Sequence, residues 1–264
     1  MRLRFAANIS TLFREYECLS DRYQAAKDFG FKAVETQFPY TVPVENLKAA
    51  QQQTKLQQVL INSFPGDMSK GEFGFAIKAD TRSDFEKSLN YTLEYATSLN
   101  CKRVHLLAGE LSDSSKEKEA ESIYVENIEK AVDVFKKADI TVLIEPITRK
   151  TRPGYFLADF DQAIKYIKKI DSNYLKLQLD IFHLQMICGN VSRIEELLPY
   201  TGHIQISQAP NRNEPSVLGQ INYKEVFSLL EELEYDGWIG LEYNPLNDTI
   251  SSLQWIKEYG YNLA

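Results

Sequence analysis

YVENIEKAVDVFKKADITVLIEP, residues 124–146, is the stretch from which the fold is read. Ile128, Ala131, Val132 and Phe135 recur at intervals of three and four, the period of a helix with one buried face. The run that follows, Ile140–Glu145, is apolar almost throughout. Such a run suits a strand of a parallel sheet that is covered on both faces. A helix leading directly into a buried strand is half of a repeating α/β unit.

The same alternation extends to both ends of the chain. Candidate strands are Leu3–Asn8, Ala33–Gln37, Gln58–Asn62, Arg103–Ala108, Ile140–Glu145, Leu175–Asp180, His203–Ser207 and Trp238–Glu242. Helix-period segments accompany them at 21–30, 44–55, 84–100, 124–139, 159–171, 193–200, 223–237 and 250–260. Eight strand–helix units in 264 residues average 33 residues each, with no long linker between them. The expected fold is α/β, a (β/α)8 TIM barrel forming a single domain over residues 1–264. An open doubly wound sheet would bring a glycine-rich phosphate turn after the first strand, where this chain reads NISTLF (residues 8–13). Two loops, 63–80 and 208–221, are long and carry Pro, Gly and charge, which in a barrel often marks a lid over the site.

Composition narrows the function classes. The chain is 44% hydrophobic and 25% charged, as ordinary globular proteins are. Its 30 Lys and Arg against 37 Asp and Glu leave a net charge of −7, which disfavours non-specific nucleic-acid binding. Cys18, Cys101 and Cys188 are odd in number, far apart and without CxxC spacing, so neither a disulfide framework nor a zinc–thiolate site is expected. No secretory signal is read in MRLRFAANIS, and no apolar run approaches the eighteen or so residues of a membrane span. A cytoplasmic protein with no membrane partner is expected.

In a (β/α)8 barrel the active site lies at the C-terminal ends of the strands. Those ends read Asn8, Glu35, Asn62, His105, Glu145, Asp180, Gln205 and Glu242. Any one of the last acids could cap the following helix or pair with an arginine. Three of them on strands 5, 6 and 8, flanking Gln205 on strand 7, point instead to a metal site of Glu145, Asp180, Gln205 and Glu242. An all-oxygen donor set with three negative charges favours Mg²⁺ or Mn²⁺ over Zn²⁺. A metal that chelates a carbonyl and an adjacent hydroxyl acidifies the C–H between them. Glu145 and Glu242 could then shuttle a proton between neighbouring carbons, as isomerisation or epimerisation of a small hydroxy-carbonyl compound requires. No lysine closes a strand, so Schiff-base chemistry is not expected. His183, just past strand 6, is expected to hydrogen-bond a substrate oxygen. Arg212, in the loop after strand 7, is a candidate to bind a substrate carboxylate through its bidentate fork, with Glu214 a weaker candidate beside it. His105 is expected mid-strand in the core, and His203, at the start of strand 7, in a structural role.

These segments bear a family resemblance. LRFAANISTLF (3–13), GFKAVETQFPY (30–40), LIEPI (143–147), LQLDIFHLQ (177–185), GHIQISQAPNRNEP (202–215), INY (221–223) and GWIGLEYNP (237–245) resemble the motifs of hydroxypyruvate isomerases, within the xylose isomerase-like barrel superfamily. The resemblance spans nearly the whole chain and rests most on the last four motifs together. It implies conversion of hydroxypyruvate to tartronate semialdehyde, within glyoxylate metabolism, with a divalent metal and no organic cofactor. It implies Glu145 and Glu242 as the paired acid/base residues and as metal ligands with Asp180 and Gln205, and places His183 and Arg212 near the substrate. Ketose 3-epimerases of the same superfamily carry a histidine where this chain has Gln205. The segment NEPSVLGQINY (213–223) departs from the bacterial-type HEPGTGEINY, with Asn213 for His, one extra residue and Gln220 for Glu, and is similar to the animal-type branch. That loop is expected to cover the pocket, so the difference bears on substrate choice.

Other readings differ in what they require. A ketose 3-epimerase would use the same two glutamates on a longer substrate, against which Gln205 and the Arg212 clamp count. An endonuclease IV-like trinuclear zinc site needs more histidines than the three in this chain. No glycine-rich phosphate turn follows strand 7 or 8, as a phosphate-binding barrel or glycolytic aldolase would have. A non-catalytic barrel acting as a binding protein would have lost one of the four ligand positions, and all four are intact. The expected partner is a small hydroxy-keto acid; a homo-oligomer is compatible with these helices.

Overall fold

The structure, a computed structural model, describes residues 3–263. Eight parallel strands form it: β1 (Arg4–Asn8), β2 (Ala33–Thr36), β3 (Gln57–Asn62), β4 (Arg103–His105), β5 (Thr141–Ile144), β6 (Leu175–Asp180), β7 (Thr201–Ile206) and β8 (Trp238–Leu241). Each pairs with the next and β8 returns to β1, so the barrel is closed. At the closing seam Phe5 lies opposite Ile239 and Ala6 opposite Gly240. Outside the strands run α1 (Leu19–Phe29), α2 (Val44–Thr54), α3 (Arg82–Ser98), α4 (Glu117–Phe135), α5 (Phe160–Ile170), α6 (Ile181–Cys188), α7 (Ile194–Leu197), α8 (Tyr223–Glu232), α9 (Thr249–Ser252) and α10 (Trp255–Glu258). Among the described residues, no helix is long and apolar enough to cross a membrane.

Local chemistry accounts for these elements. On α4 the expected stripe of Ile128, Ala131, Val132 and Phe135 is buried, and the helix packs on β5 and on α3 and α5. α5 starts at Asp159, whose side chain accepts the Gln162 N–H, and carries Lys168 and Lys169 in its last turn, where they complement the helix dipole. α1 stops at Gly30, whose φ of 116° is one that residues with a Cβ rarely adopt.

Both faces of the strands are buried. One set of alternate residues, including Phe5, Val104, Val142, Leu177, Ile204 and Ile239, belongs to the large core shared with the helices. The other set faces the barrel axis and changes character along it. A small apolar cluster of Ala6, Ala33 and Val59 lies at one level, and Asn8 and Glu35, two residues further along β1 and β2, begin a polar layer. The site is built on that polar layer.

Strand β4 ends at His105, earlier than the expected Ala108. Beyond it the Leu107 N–H goes to Ser63 Oγ and the Ala108 N–H to the Tyr155 hydroxyl, so side chains from the loops replace the strand ladder.

Candidate active site

A cavity of about 300 Å³ opens at the C-terminal ends of the strands and is lined by Glu145, Glu242, His183, Arg212, His105 and Gln178, together with Phe38, Phe73 and Arg152. Glu145 directly follows β5 and Glu242 directly follows β8, so each carboxylate stands where its strand runs out. Asp180 is the last residue of β6 and is fully buried. Its Oδ1 accepts the Phe182 N–H at 2.8 Å, capping α6, and its Oδ2 receives Arg212 Nη2 at 3.1 Å. Asp180 thus caps a helix and meets an arginine, and both interactions hold its carboxylate at one orientation.

Arg212 is the hub of the polar contacts. Nη2 also lies 3.4 Å from Glu242 Oε1, Nη1 lies 3.3 Å from His183 Nε2, and the guanidinium stacks over Phe182 at 4.6 Å. Its backbone is in the left-handed region, φ 58°, where a side chain with a Cβ is strained. Two hydrogen bonds hold it there: its N–H to Gln208 O at 2.7 Å, and its C=O accepting Asn244 N–H at 2.7 Å. Strain enforced from both sides is commoner at working sites than on plain surface loops. Glu214 lies outside the cavity lining; its Oε2 accepts the Leu246 N–H at 3.0 Å and ties the β7 loop to the β8 loop.

Burial before all else makes each of the three carboxylates a reluctant anion. Burial, then repulsion from Glu242 and Asp180, raises Glu145 well above the ordinary glutamate range. Burial pushes Glu242 up to about 8, against the pull of Arg212 and with the repulsion of Asp180 and Glu35. Asp180 is raised by burial in spite of Arg212. Burial alone would weaken Arg212 as a cation, but Glu242, Asp180 and Glu145 keep it charged. Excess negative charge of this kind, borne by fixed oxygens, fits a divalent cation. Ligand atoms of Glu145, Asp180 and His183 lie within 4.8 Å of one another.

His183 differs from the other two. Its Nδ1 accepts the Thr148 backbone N–H at 3.2 Å. Burial, helped by Arg212 and His105, depresses its pKa well below the usual value, so the ring is neutral. A neutral imidazole that accepts at Nδ1 carries its proton on Nε2, the atom 3.6 Å from Asp180 Oδ2 and 3.8 Å from Glu145 Oε1. The ring therefore offers the cavity a donor, and in this tautomer Arg212 Nη1, itself a donor 3.3 Å from Nε2, is a neighbour and not a hydrogen-bond partner of the ring.

Gln205 lies deeper. Its Oε1 accepts Gln178 Nε2 at 2.6 Å, and the same nitrogen donates to Glu145 Oε2 at 3.0 Å. Two expectations are corrected. His105 is the last residue of β4, with Nδ1 3.2 Å from Glu145 Oε2 but off the line of a hydrogen bond, and burial holds its pKa down at about 3. His203 is the third residue of β7, not its first, and its Nε2 meets Glu35 Oε2 inside the barrel at 2.6 Å.

Residues 23–259 match the family described as Xylose isomerase-like TIM barrel. The chain belongs to that family. Within it, the chain is 41% identical to a zebrafish (Danio rerio) protein named "Putative hydroxypyruvate isomerase", covering 97% of this chain and 95% of that one. It is 38% identical to a 2-oxo-tetronate isomerase of Cupriavidus necator and 36% identical to the hydroxypyruvate isomerase of Escherichia coli, over 97% of this chain and at least 98% of theirs. The crystal structure of a Brucella melitensis protein titled AP endonuclease, family 2, superposes with a TM-score of 0.92 at 36% identity, covering 97% of this chain and 99% of that one.

Sequence reading passed over Gln178 and gave Glu35 no role. The signal for Gln178 was parity. Gln178 shares a strand face with Asp180, His203 with Gln205, and Gly240 with Glu242, because side chains two apart on a strand point the same way.

Proposed function

We propose that this enzyme interconverts hydroxypyruvate and tartronate semialdehyde, with Glu145 and Glu242 as the proton-transfer pair. The observation that carries the reading is that two buried glutamates, each directly following its strand, line one cavity together with His183 and Arg212, so that two proton-transfer groups face one substrate space. One glutamate removes a proton from C3, an enediol forms, and a proton is returned to C2. Meanwhile the two oxygens exchange hydroxyl and carbonyl character, so the reaction balances without any external oxidant or reductant. His183 donates from Nε2 to a substrate oxygen. Arg212, poised by its backbone, holds the substrate carboxylate by its guanidinium fork.

Glu145, Asp180, Gln205 and Glu242 would hold a divalent cation, Mg²⁺ or Mn²⁺. When bound, the cation supplies Lewis-acid polarisation of the carbonyl and neighbouring hydroxyl. The reaction needs no organic cofactor, and its setting is cytoplasmic glyoxylate metabolism.

The test is an isomerase assay on hydroxypyruvate with Mg²⁺ or Mn²⁺ and after chelation, comparing wild type with Glu242→Gln. Expected is cation-dependent formation of tartronate semialdehyde, reduced about 10²- to 10⁴-fold by the substitution, the size of a general acid–base contribution. Turnover of a ketose or of 2-oxo-tetronate with none of hydroxypyruvate would overturn the substrate. Equal rates in Glu242→Gln would overturn the mechanism.

A further inference from the structure

Beneath the cavity a chain of buried polar groups crosses the barrel. His203 Nε2 meets Glu35 Oε2 at 2.6 Å, and Glu35 Oε1 accepts Asn8 Nδ2 at 2.9 Å and Gln205 Nε2 at 2.7 Å. Gln205 Oε1 then accepts Gln178 Nε2, which also donates to Glu145 Oε2. Asn8, Glu35, Gln178, Gln205 and His203 are each at most 1% exposed. A carboxylate inside a barrel is costly unless it is paired and hydrogen-bonded, and Asn8, Gln205 and His203 supply those partners to Glu35. Room for it was made by Gly240: a Cβ at that position would collide with the Glu35 carboxylate.

We infer that Glu35 is a positioning residue for the cation site, fixing the Gln205 amide with its nitrogen on Glu35 and its oxygen toward the side of the barrel where Gln178 and Glu145 lie. An amide side chain has two ends of nearly equal shape, and only its partners decide which is the oxygen. A carboxylate accepts and cannot donate, so Glu35 compels Gln205 to turn its NH₂ inward. The carbonyl oxygen is then the end turned toward Gln178 Nε2, the nitrogen that also donates to Glu145 Oε2, so a hard cation shared by Gln205 and Glu145 would take the place of that N–H. With a donor in place of Glu35, Gln205 would turn over and present an NH₂, which repels a cation. His203 and Asn8 in turn hold the Glu35 carboxylate in place. This inference rests on the cation set proposed above.

Mn²⁺ titrated into the metal-free protein and followed by calorimetry tests it without reference to turnover. Three variants perturb the carboxylate differently. Glu35→Met removes it at similar volume. Gly240→Ala displaces it without removing any polar group. Glu35→Gln keeps an acceptor under Gln205 only if the His203 proton moves to Nδ1, which has no partner now. Mn²⁺ affinity is expected to fall about 10- to 100-fold in Glu35→Met and Gly240→Ala, the usual effect of losing a group that orients a metal ligand, with Glu35→Gln between these and wild type. Circular dichroism of each metal-free variant shows whether it is folded; should Glu35→Met not fold, the other two carry the comparison. Folded variants that bind Mn²⁺ as wild type does would overturn the role of Glu35 alone. A wild-type protein that binds no Mn²⁺ would overturn the cation set itself, and this inference with it.

Discussion

At His183 the tautomer separates two roles that look alike in a contact map. The ring sits with Glu145 and Asp180 as a ligand would, yet the Thr148 N–H occupies Nδ1 and leaves the proton on Nε2. His183→Leu is therefore expected to lower kcat/KM about 10- to 100-fold, the effect of losing one hydrogen bond to a charged group. Mn²⁺ affinity should stay within about threefold of wild type; a collapse of cation binding would make the ring a ligand instead. Cys101 is a second residue whose surroundings decide its chemistry. Burial pushes its thiol up to about 12, and Sγ donates to Arg103 O at 3.2 Å. The reactive thiolate appears only as pH approaches that value, so raising pH from 7 to 9 should not label Cys101 with iodoacetamide. Exposed Cys18 should be modified in the folded protein, and Cys101 only after denaturation, as peptide mass spectrometry would show. Labelling of native Cys101 at pH 8 would contradict this. Glu145, Asp180 and Glu242 were legible as single letters because a carboxylate closing an apolar run is conspicuous. The tautomer of His183 and the orientation of Gln205 were not, because partners distant in sequence set them: Thr148 for one, Glu35 for the other.

The strands were legible because near-continuous apolar runs such as TVLI cannot lie at a surface, and their ends were less so because loops also satisfy the backbone. The two long loops show what sequence reading could and could not give. Segment 63–80 was expected as a lid, and Phe73 from it is one of the residues that line the cavity. What holds it there was not visible: Arg152, from the loop after β5, lies 3.6 Å over the Phe73 ring and pairs with Glu110. Phe73 also meets Phe38 and Tyr155 edge-on, each with ring centres 6.0 Å apart. The loop is thus latched to its neighbours by aromatic contacts and one cation. A cation–π contact at a partly exposed site contributes about 0.5–1 kcal/mol, so Phe73→Ala should raise KM about 2- to 5-fold, with kcat nearly unchanged. Phe73→Tyr, which keeps the ring, should behave as wild type. An unchanged KM in Phe73→Ala would mean that the latch does not shape the site.

On the scale of the whole molecule, a barrel differs from an open sheet only at one seam, and here β1 meets β8. Nothing in the period of the sequence marks that seam, because the two strands that form it are the furthest apart in the chain. An aromatic cluster covers it. Phe5 of β1 has Trp255 and Tyr261 edge-on at 5.4 Å, and Phe227 of α8 lies 5.7 Å from Phe5, stacked on Trp255 at 5.6 Å and edge-on to Tyr261 at 5.6 Å. Phe227 thus joins α8 to a cluster in which the first strand and the C-terminal segment also touch directly through Phe5. Phe227 is 1% exposed, so truncation leaves a cavity that solvent cannot cheaply fill. Phe227→Ala is expected to cost about 3–5 kcal/mol, a large share of the 5–15 kcal/mol typical of a folded domain. In urea this appears as a lowered midpoint with an unchanged slope if the barrel still unfolds as one unit. Phe227→Leu, which restores much of the volume but no ring, should recover most of the loss. A loss below about 1 kcal/mol in Phe227→Ala would place closure in the strand ladder alone, because a core ring that carried the seam could not be removed so cheaply.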